Sequence, residues 1–278
     1  MLSKRISLTV LALILSYNPG ISAQTPLESL KGQIYVDPAN RQELKGFVHI
    51  AFAWAEQLEP PENLQRGLIN LKEGMTRWTD IDTRIDKHLY LSSNTLLKMP
   101  FVFVTTDRAF ELTKQESENV RTYLRNGGFM VLDNATPRYE RSQAEASLRK
   151  MMRDSLGSQA RFEPIPNDHP LYRMFFTFVD GPPNGSEIGI IDVSPTSVSG
   201  VEERGSIMSK NIPYLEGIWI GNRLVAVLSN KGYIKNWNEM SGNEPQLKIG
   251  VNMIVFALRQ KGGLARVLQA DTLREELR

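Results

Sequence analysis

Cysteine is absent from all 278 residues, and that one absence removes several chemistries. No disulfide framework can staple the fold, no thiolate can act as a nucleophile, and no lipid-bearing cysteine follows the apolar N-terminal segment. Histidine is nearly as scarce. His49, His88 and His169 are isolated, without the His-x-x-x-His spacing that sets two imidazoles on one helix face for zinc. Gly-x-Ser-x-Gly is missing, and Gly185-Ser-Glu-Ile-Gly189 has the wrong spacing for a nucleophile elbow. Phosphate-binding loops and dinucleotide fingerprints are missing as well. Asp80, Asp82 and Asp86 suggest a calcium loop, but Ile85 stands where an EF-hand needs glycine and Leu91 where it needs glutamate. A solvated strand start is the better reading, and the sequence implies no metal and no cofactor.

Excess charge is also lacking. Lys4 and Arg5 precede an apolar run from Ile6 to Leu15, and Ile21-Ser-Ala23 provides a small-residue cleavage pattern before Gln24. This is the layout of a signal peptide over 1–23, and its run is too short to span a bilayer. Its removal takes two of the 33 basic residues and none of the 31 acidic ones, which leaves 255 residues with no formal net charge. A neutral chain offers no general surface for nucleic acid, which requires a concentrated positive field. The expectation is a periplasmic or secreted protein with no integral span after cleavage, and a core large enough to hold without staples.

What is present is alternation of strands and helices. Residues 24–45 read as a polar linker or arm, with a short strand possible at Gln33–Val36. The α/β domain is expected over 46–262 and a loosely helical tail over 263–278. Phe47–Ala53 is the first core strand, with Trp54 at its carboxyl end. Leu64, Leu68, Leu71 and Met75 form the stripe of a helix packed on a sheet, and Asp80–Tyr90 supplies a second strand. Pro100–Asn134 is a full strand–helix–strand unit. It comprises Phe101–Val104, a Thr113-x-x-Glu116 capping box with Val120, Tyr123 and Leu124 facing inward, an Asn126-Gly127-Gly128 stop, and Phe129–Leu132. A second capping box, Ser142-x-x-Glu145, opens a helix with Leu148, Met151 and Met152 inward and Gly157 at its end. Gly221-Asn222 between two apolar runs signals a hairpin. Leu247, Val251, Ile254, Val255 and Leu258 mark a last core helix. The pattern predicts an α/β sandwich with a mainly parallel sheet and an antiparallel hairpin.

Five strings occur in one order: Pro100-Phe-Val-Phe-Val-Thr105, Leu124-Arg-Asn-Gly-Gly-Phe-Met-Val-Leu-Asp133, Asn167-Asp-His-Pro-Leu-Tyr172, Gly217-Ile-Trp-Ile-Gly-Asn-Arg-Leu-Val-Ala-Val227 and Gly250-Val-Asn-Met-Ile-Val-Phe-Ala-Leu258. In this the chain resembles the bacterial domain-of-unknown-function family forty-one fifty-nine, which is similar in fold to class I glutamine amidotransferases and trehalose-utilisation-type proteins. The resemblance implies a flavodoxin-like three-layer sandwich and an exported or membrane-associated setting, without supplying a reaction. Its members tend to carry a Thr-Gly-His-like turn where this chain has Thr105-Thr106-Asp107, and a pair of acids where it has Asp133-Asn134. Amidotransferase chemistry itself is excluded by the missing thiolate.

Ligands of open α/β sheets bind beyond the carboxyl ends of the strands, so Asp107, Asp133 and Asn134 belong to the edge to inspect. Asp107 and Asp133 follow neighbouring strands and could act as a carboxylate pair, with His169 joining as a proton shuttle. The competing reading is that these residues satisfy backbone amides in turns. Trp54, at the end of the first strand, and Trp237, in a loop expected over Gly232–Gly242, are candidate aromatic walls for a ligand, and Arg138 a candidate anion contact. Covering the core suits both tryptophans equally. Two functions follow. One is a non-catalytic domain of the cell envelope that binds a small ligand or a protein partner. The alternative is a hydrolase or isomerase of envelope carbohydrates that uses carboxylates and His169.

Overall fold

A computed structural model describes residues 30–37, 39–40, 42–58, 64–137, 142–187 and 212–269. Residues 1–23, where a signal peptide is expected, lie outside them. The elements are β1 (Gly32–Val36), β2 (Leu44–Trp54), α1 (Gln65–Trp78), β3 (Asp80–Tyr90), β4 (Phe101–Thr106), α2 (Lys114–Arg125), β5 (Met130–Asn134), α3 (Gln143–Leu156), β6 (Glu163–Pro164), β7 (Glu216–Ile220), β8 (Arg223–Ser229), α4 (Tyr233–Trp237), α5 (Glu244–Arg259) and β9 (Arg266–Gln269).

Five strands run parallel in the order β3-β2-β4-β5-β8. β7 folds back antiparallel on β8 through Gly221-Asn222, and β6 adds two residues beyond it. β2 has three partners on two edges. β3 runs along residues 45–54, so β1, opposite residues 44–48, and β4, opposite 50–52, must follow one another on the other edge.

The sheet is buried on both faces because its strands are apolar at successive positions rather than alternate ones. Ile50, Phe52, Phe101, Phe103, Phe129 and Val131 point to one side, where they meet α1, α4 and α5. Ala51, Ala53, Val102, Val104, Met130 and Leu132 point to the other, against α2 and α3. The result is an α/β fold with helices in layers on both sides of a mixed, mostly parallel sheet.

Local chemistry explains the helix boundaries. Thr113 accepts from the amide of Glu116, and the Glu116 carboxylate accepts the amides of Thr113 and Glu56, each at 2.7 Å. One buried carboxylate therefore starts α2 and ties it to the chain leaving β2. At Ser142 only half of the expected box forms, because Glu145 turns to Arg149 instead. Arg149 in turn reaches Glu216 on β7.

The ends of the sheet extend beyond the expected domain. The short strand possible at Gln33–Val36 within the arm is present as β1, which pairs antiparallel with β2 and buries Ile34 and Val36. The tail does not begin as a helix, since Arg266–Gln269 form β9 parallel to β1. Both strands are short and partly polar, and they become strands only because the sheet offers them an edge.

The strings that carry the family resemblance prove to be architectural. A β-carbon on Gly128 would come within 2.3–2.5 Å of three ring atoms of Tyr123. The Tyr123 hydroxyl donates to the carbonyl of Phe129 at 2.8 Å and accepts its amide at 3.1 Å. Gly250 leaves room for Trp237 and Leu71. Asn252 is fully buried on α5 and serves four backbone groups. Its Oδ1 accepts the amides of Phe175 and Phe176, and its Nδ2 donates to the carbonyls of Leu171 and Phe176. That clamp holds the irregular 171–176 segment against the core. Replacing Asn252 by Leu preserves bulk and strands all four groups, so unfolding in urea should show a loss of about 3 kcal/mol or more. A loss within about 1 kcal/mol would mean that the clamp is dispensable.

Candidate functional site

The carboxyl ends of β4, β5 and β8 lie side by side, with Thr105 opposite Asp133 and Asp133 opposite Ser229. Asp133 is fully buried. Its two carboxylate oxygens accept the amides of Tyr233 and Ile234, each at 3.1 Å, and the Ser229 hydroxyl also donates to it. The chain leaves β8 through Ser229-Asn230-Lys231 and turns at Gly232, whose φ is 61°, before α4 begins. Asp133 thus holds the first amides of α4 from a strand 100 residues earlier. Burial pushes its pKa up to about 7, against the pull of the three donors, and the charge of Glu187 adds to the rise.

Asn134 is equally committed. Its Nδ2 donates to Asn230 at 3.1 Å, and its Oδ1 accepts from the Thr136 amide, the Thr136 hydroxyl and the Ser142 hydroxyl. Ser142 is the N-cap of α3, so this amide joins the ends of β5 and β8 to the start of a helix.

Beside it lies an ion pair that no sequence signal announced. Lys231 Nζ and Glu187 Oε1 are 2.6 Å apart and both side chains are completely buried. The other Glu187 oxygen accepts the Gly185 amide at 2.7 Å, and the Ser186 amide donates to the Lys231 carbonyl at 2.7 Å. Tyr233 donates to the Pro183 carbonyl at 2.6 Å. Segment 183–187 is thereby strapped across the carboxyl edge. Ser229-Asn-Lys-Gly232 after an apolar strand was the available hint. Its partner 44 positions away carried none.

The other candidates do not join this group. Asp107 is about half exposed and pairs with Arg108, at 3.2 Å from Nε to Oδ1. The strand has already closed before it, because Thr106 Oγ1 both accepts the Arg108 amide and donates to the Arg108 carbonyl. His169 lies at the opposite end of the sheet. Its ring meets Trp219, which pairs with Leu224 near the start of β8, and Phe256, which packs on Phe129 just before β5. Four strand residues, about 13 Å, separate that level from Asp133. Its Nδ1 accepts the Leu171 amide, and burial lowers its pKa, with Asp168 opposing. Asp107, Asp133 and His169 therefore form no common cleft.

Both tryptophans are core residues. Trp54 is 3 % exposed and its indole donates to the Lys87 carbonyl at 2.8 Å. Trp237 is not in a loop but on α4. It is fully buried, stacked near Phe103 at 4.9 Å, and donates to the Gln246 carbonyl. Arg138 lies outside the described residues. Asp80, Asp82 and Asp86 are positions of β3. Among the described residues no group of three or more His, Asp or Glu side chains is placed to hold a metal. No helix among them is long and apolar enough to cross a membrane.

The family model of Domain of unknown function (DUF4159) matches residues 53–258. The chain belongs to the DUF4159 family. No curated protein matches it. The DUF4159 match runs from the end of β2 through α5, and so contains the carboxyl edge, the strap and the Asn252 clamp, while β1 and β9 lie outside it.

The pKa of Asp133 has a consequence for stability. Its folded value of about 7 exceeds its ordinary 3.8, so between these limits the folded state binds more protons than the unfolded one. Stability from this group is full below pH 3.8 and declines as pH rises, until it is lost above about 7. The span is on the order of 2–4 kcal/mol. Thermal unfolding of the wild type should therefore gain from acidification between neutral pH and pH 5, relative to Asp133→Asn. That variant should melt lower throughout, because its Nδ2 faces an amide donor. Equal pH slopes in the two proteins would contradict the assignment.

Proposed function

We propose that this DUF4159 member is exported, to the periplasm or the medium, and serves the cell envelope as a non-catalytic domain that binds a small ligand or a protein partner. The order β3-β2-β4-β5-β8 has the 2-1-3-4-5 pattern of flavodoxin-like sheets. That supports a flavodoxin-like sandwich of the class I glutamine amidotransferase kind, with the nucleophile missing. The observation that carries the reading is the fate of Asp133. Its pKa of about 7 would suit an acid or base, yet both of its oxygens are taken by backbone amides and none of its surface meets solvent. A sealed and saturated carboxylate positions chain and does not transfer protons to a substrate.

The alternative, a hydrolase or isomerase of envelope carbohydrates, needs Asp107, Asp133 and His169 within reach of one substrate. Their separation counts against it. Incubation of the purified protein with envelope glycans should leave the substrates unchanged. Turnover that disappears in His169→Ala but survives in a remote control would restore the enzymatic reading. Export has a separate test. In a bacterial host the protein should fractionate outside the cytoplasm, with Gln24 as its first residue.

A further inference from the structure

We propose that two copies of this chain pair through the outer edge of β3, antiparallel and centred on Ile85. β3 is 11 residues long, and among the described residues it is hydrogen-bonded along one side only, to β2. Its other side is the surface on which a further strand assembles, although the His88 amide is taken by Asp86 Oδ1 at 3.1 Å, which leaves Asp86 Oδ2 for a partner. Asp80, Asp82, Arg84, Asp86, Lys87, His88 and Tyr90 are all exposed.

The charge pattern identifies the occupant. A two-fold axis that joins identical strands antiparallel, edge to edge, stands perpendicular to the sheet. It keeps each residue on its own face, so opposing residues are an even number of positions apart. Centring on Ile81 opposes Asp80 to Asp82, centring on Asp82 opposes it to itself, and centring on Thr83 opposes Asp80 to Asp86. Centring on Arg84 sets arginine on arginine and Asp82 on Asp86, and centring on Asp86 sets acid on acid. Among the centres from Ile81 to Lys87, Ile85 alone avoids every like-charge contact. There Arg84 faces Asp86 of the second copy, twice by symmetry, and Lys87 and His88 of the second copy come alongside Thr83 and Asp82. Opposite charges across a strand pair stabilise it and like charges oppose it.

Arg84 can turn to this contact, because its ion pair with Asp82 on the same face is long, at 3.9 Å, and both side chains are about two-thirds exposed. The regular ladder covers the centre of the pairing, since the β2–β3 register slips only beyond Asp86, where the Trp54 indole takes the Lys87 carbonyl. Charges on an edge strand also serve to repel other strands, but repulsion is best served by one sign, and this strand carries both, with Arg84 and Asp86 complementary across the Ile85 register.

The mature full-length chain should sediment as a dimer at micromolar concentration. Arg84→Glu sets acid against acid and should weaken the dimer at least about tenfold. Adding Asp86→Arg to it reverses both charges and should restore the dimer. Both residues are exposed, so the melting temperature should hold and report intact folding. Because the chain has no native cysteine, Ile85→Cys should cross-link to its own copy on oxidation, at the separation of directly opposed strand residues. Ile69→Cys, on exposed α1 surface, should not. A monomeric wild type, a dimer indifferent to Arg84→Glu, or a charge swap that fails to restore pairing would each overturn the proposal.

Discussion

A carboxylate buried without a counter-cation among its contacts is costly unless donors surround it, and the carboxyl edge of this sheet is organised around meeting that requirement for Asp133. The two amides that meet it belong to the start of α4. α4 therefore cannot move without uncovering the charge, and Trp237, carried by α4, packs on Phe103 in the middle of the sheet. From Trp237 the constraint passes to α5 through Gly250, where any larger residue would collide with the indole. It passes on to Asn252, two residues further along α5, which fixes residues 171–176. A single electrostatic demand at one strand end thus propagates through four elements.

The same demand accounts for the strap over residues 183–187. Lys231 follows Ser229 and Asn230, whose side chains are already spent on Asp133 and Asn134. Its ammonium is carried into the interior and has to find an anion there. Glu187 supplies it, and its second oxygen takes the Gly185 amide, so the segment closes over the strand ends. A buried ion pair of this kind adds little to stability compared with a hydrophobic replacement, but losing either partner leaves an uncompensated charge. It fixes where the segment lies more than how tightly it is held.

The strands and the long helices were legible because their signals are local. Four apolar residues between turns at Phe101–Val104, a capping box at Thr113 and Glu116, and a Gly-Asn hairpin each decide their own conformation within a few positions. What sequence could not reveal was non-local. β9 lacks a strand period and β1 reads only as a possible strand, and both have their place because β2 leaves part of one edge open below β4. Asp133 stands out at its strand end, but its partners stand 100 positions away. Trp237 looked like a loop residue because α4 is five residues long and follows a left-handed glycine. His169 was drawn toward the acids by its chemistry and held away from them by the level at which Trp219 and Phe256 sit. The family strings hide their roles for the same reason, since the ring packing that Gly128 and Gly250 permit and the clamp that Asn252 forms involve residues far away in sequence.

Sealing the carboxyl edge changes where recognition can occur. In open α/β sheets that edge is the usual ligand position because strand ends leave backbone groups and side chains free, and here the groups of β5 and β8 are consumed internally. Backbone hydrogen-bonding capacity must then be sought along the sides of the sheet. One extremity, β6, is two residues long and contains Pro164, which has no amide to donate. β9 contributes four residues. β3 contributes eleven, and its side chains carry both signs instead of repeating one. A sheet that blunts its other ends with brevity and proline, while among the described residues an 11-residue strand is paired on one side only, concentrates its capacity for association in that strand. The bulge pinned by Trp54 limits the length over which a partner can add, and so favours one register over a sliding set of them.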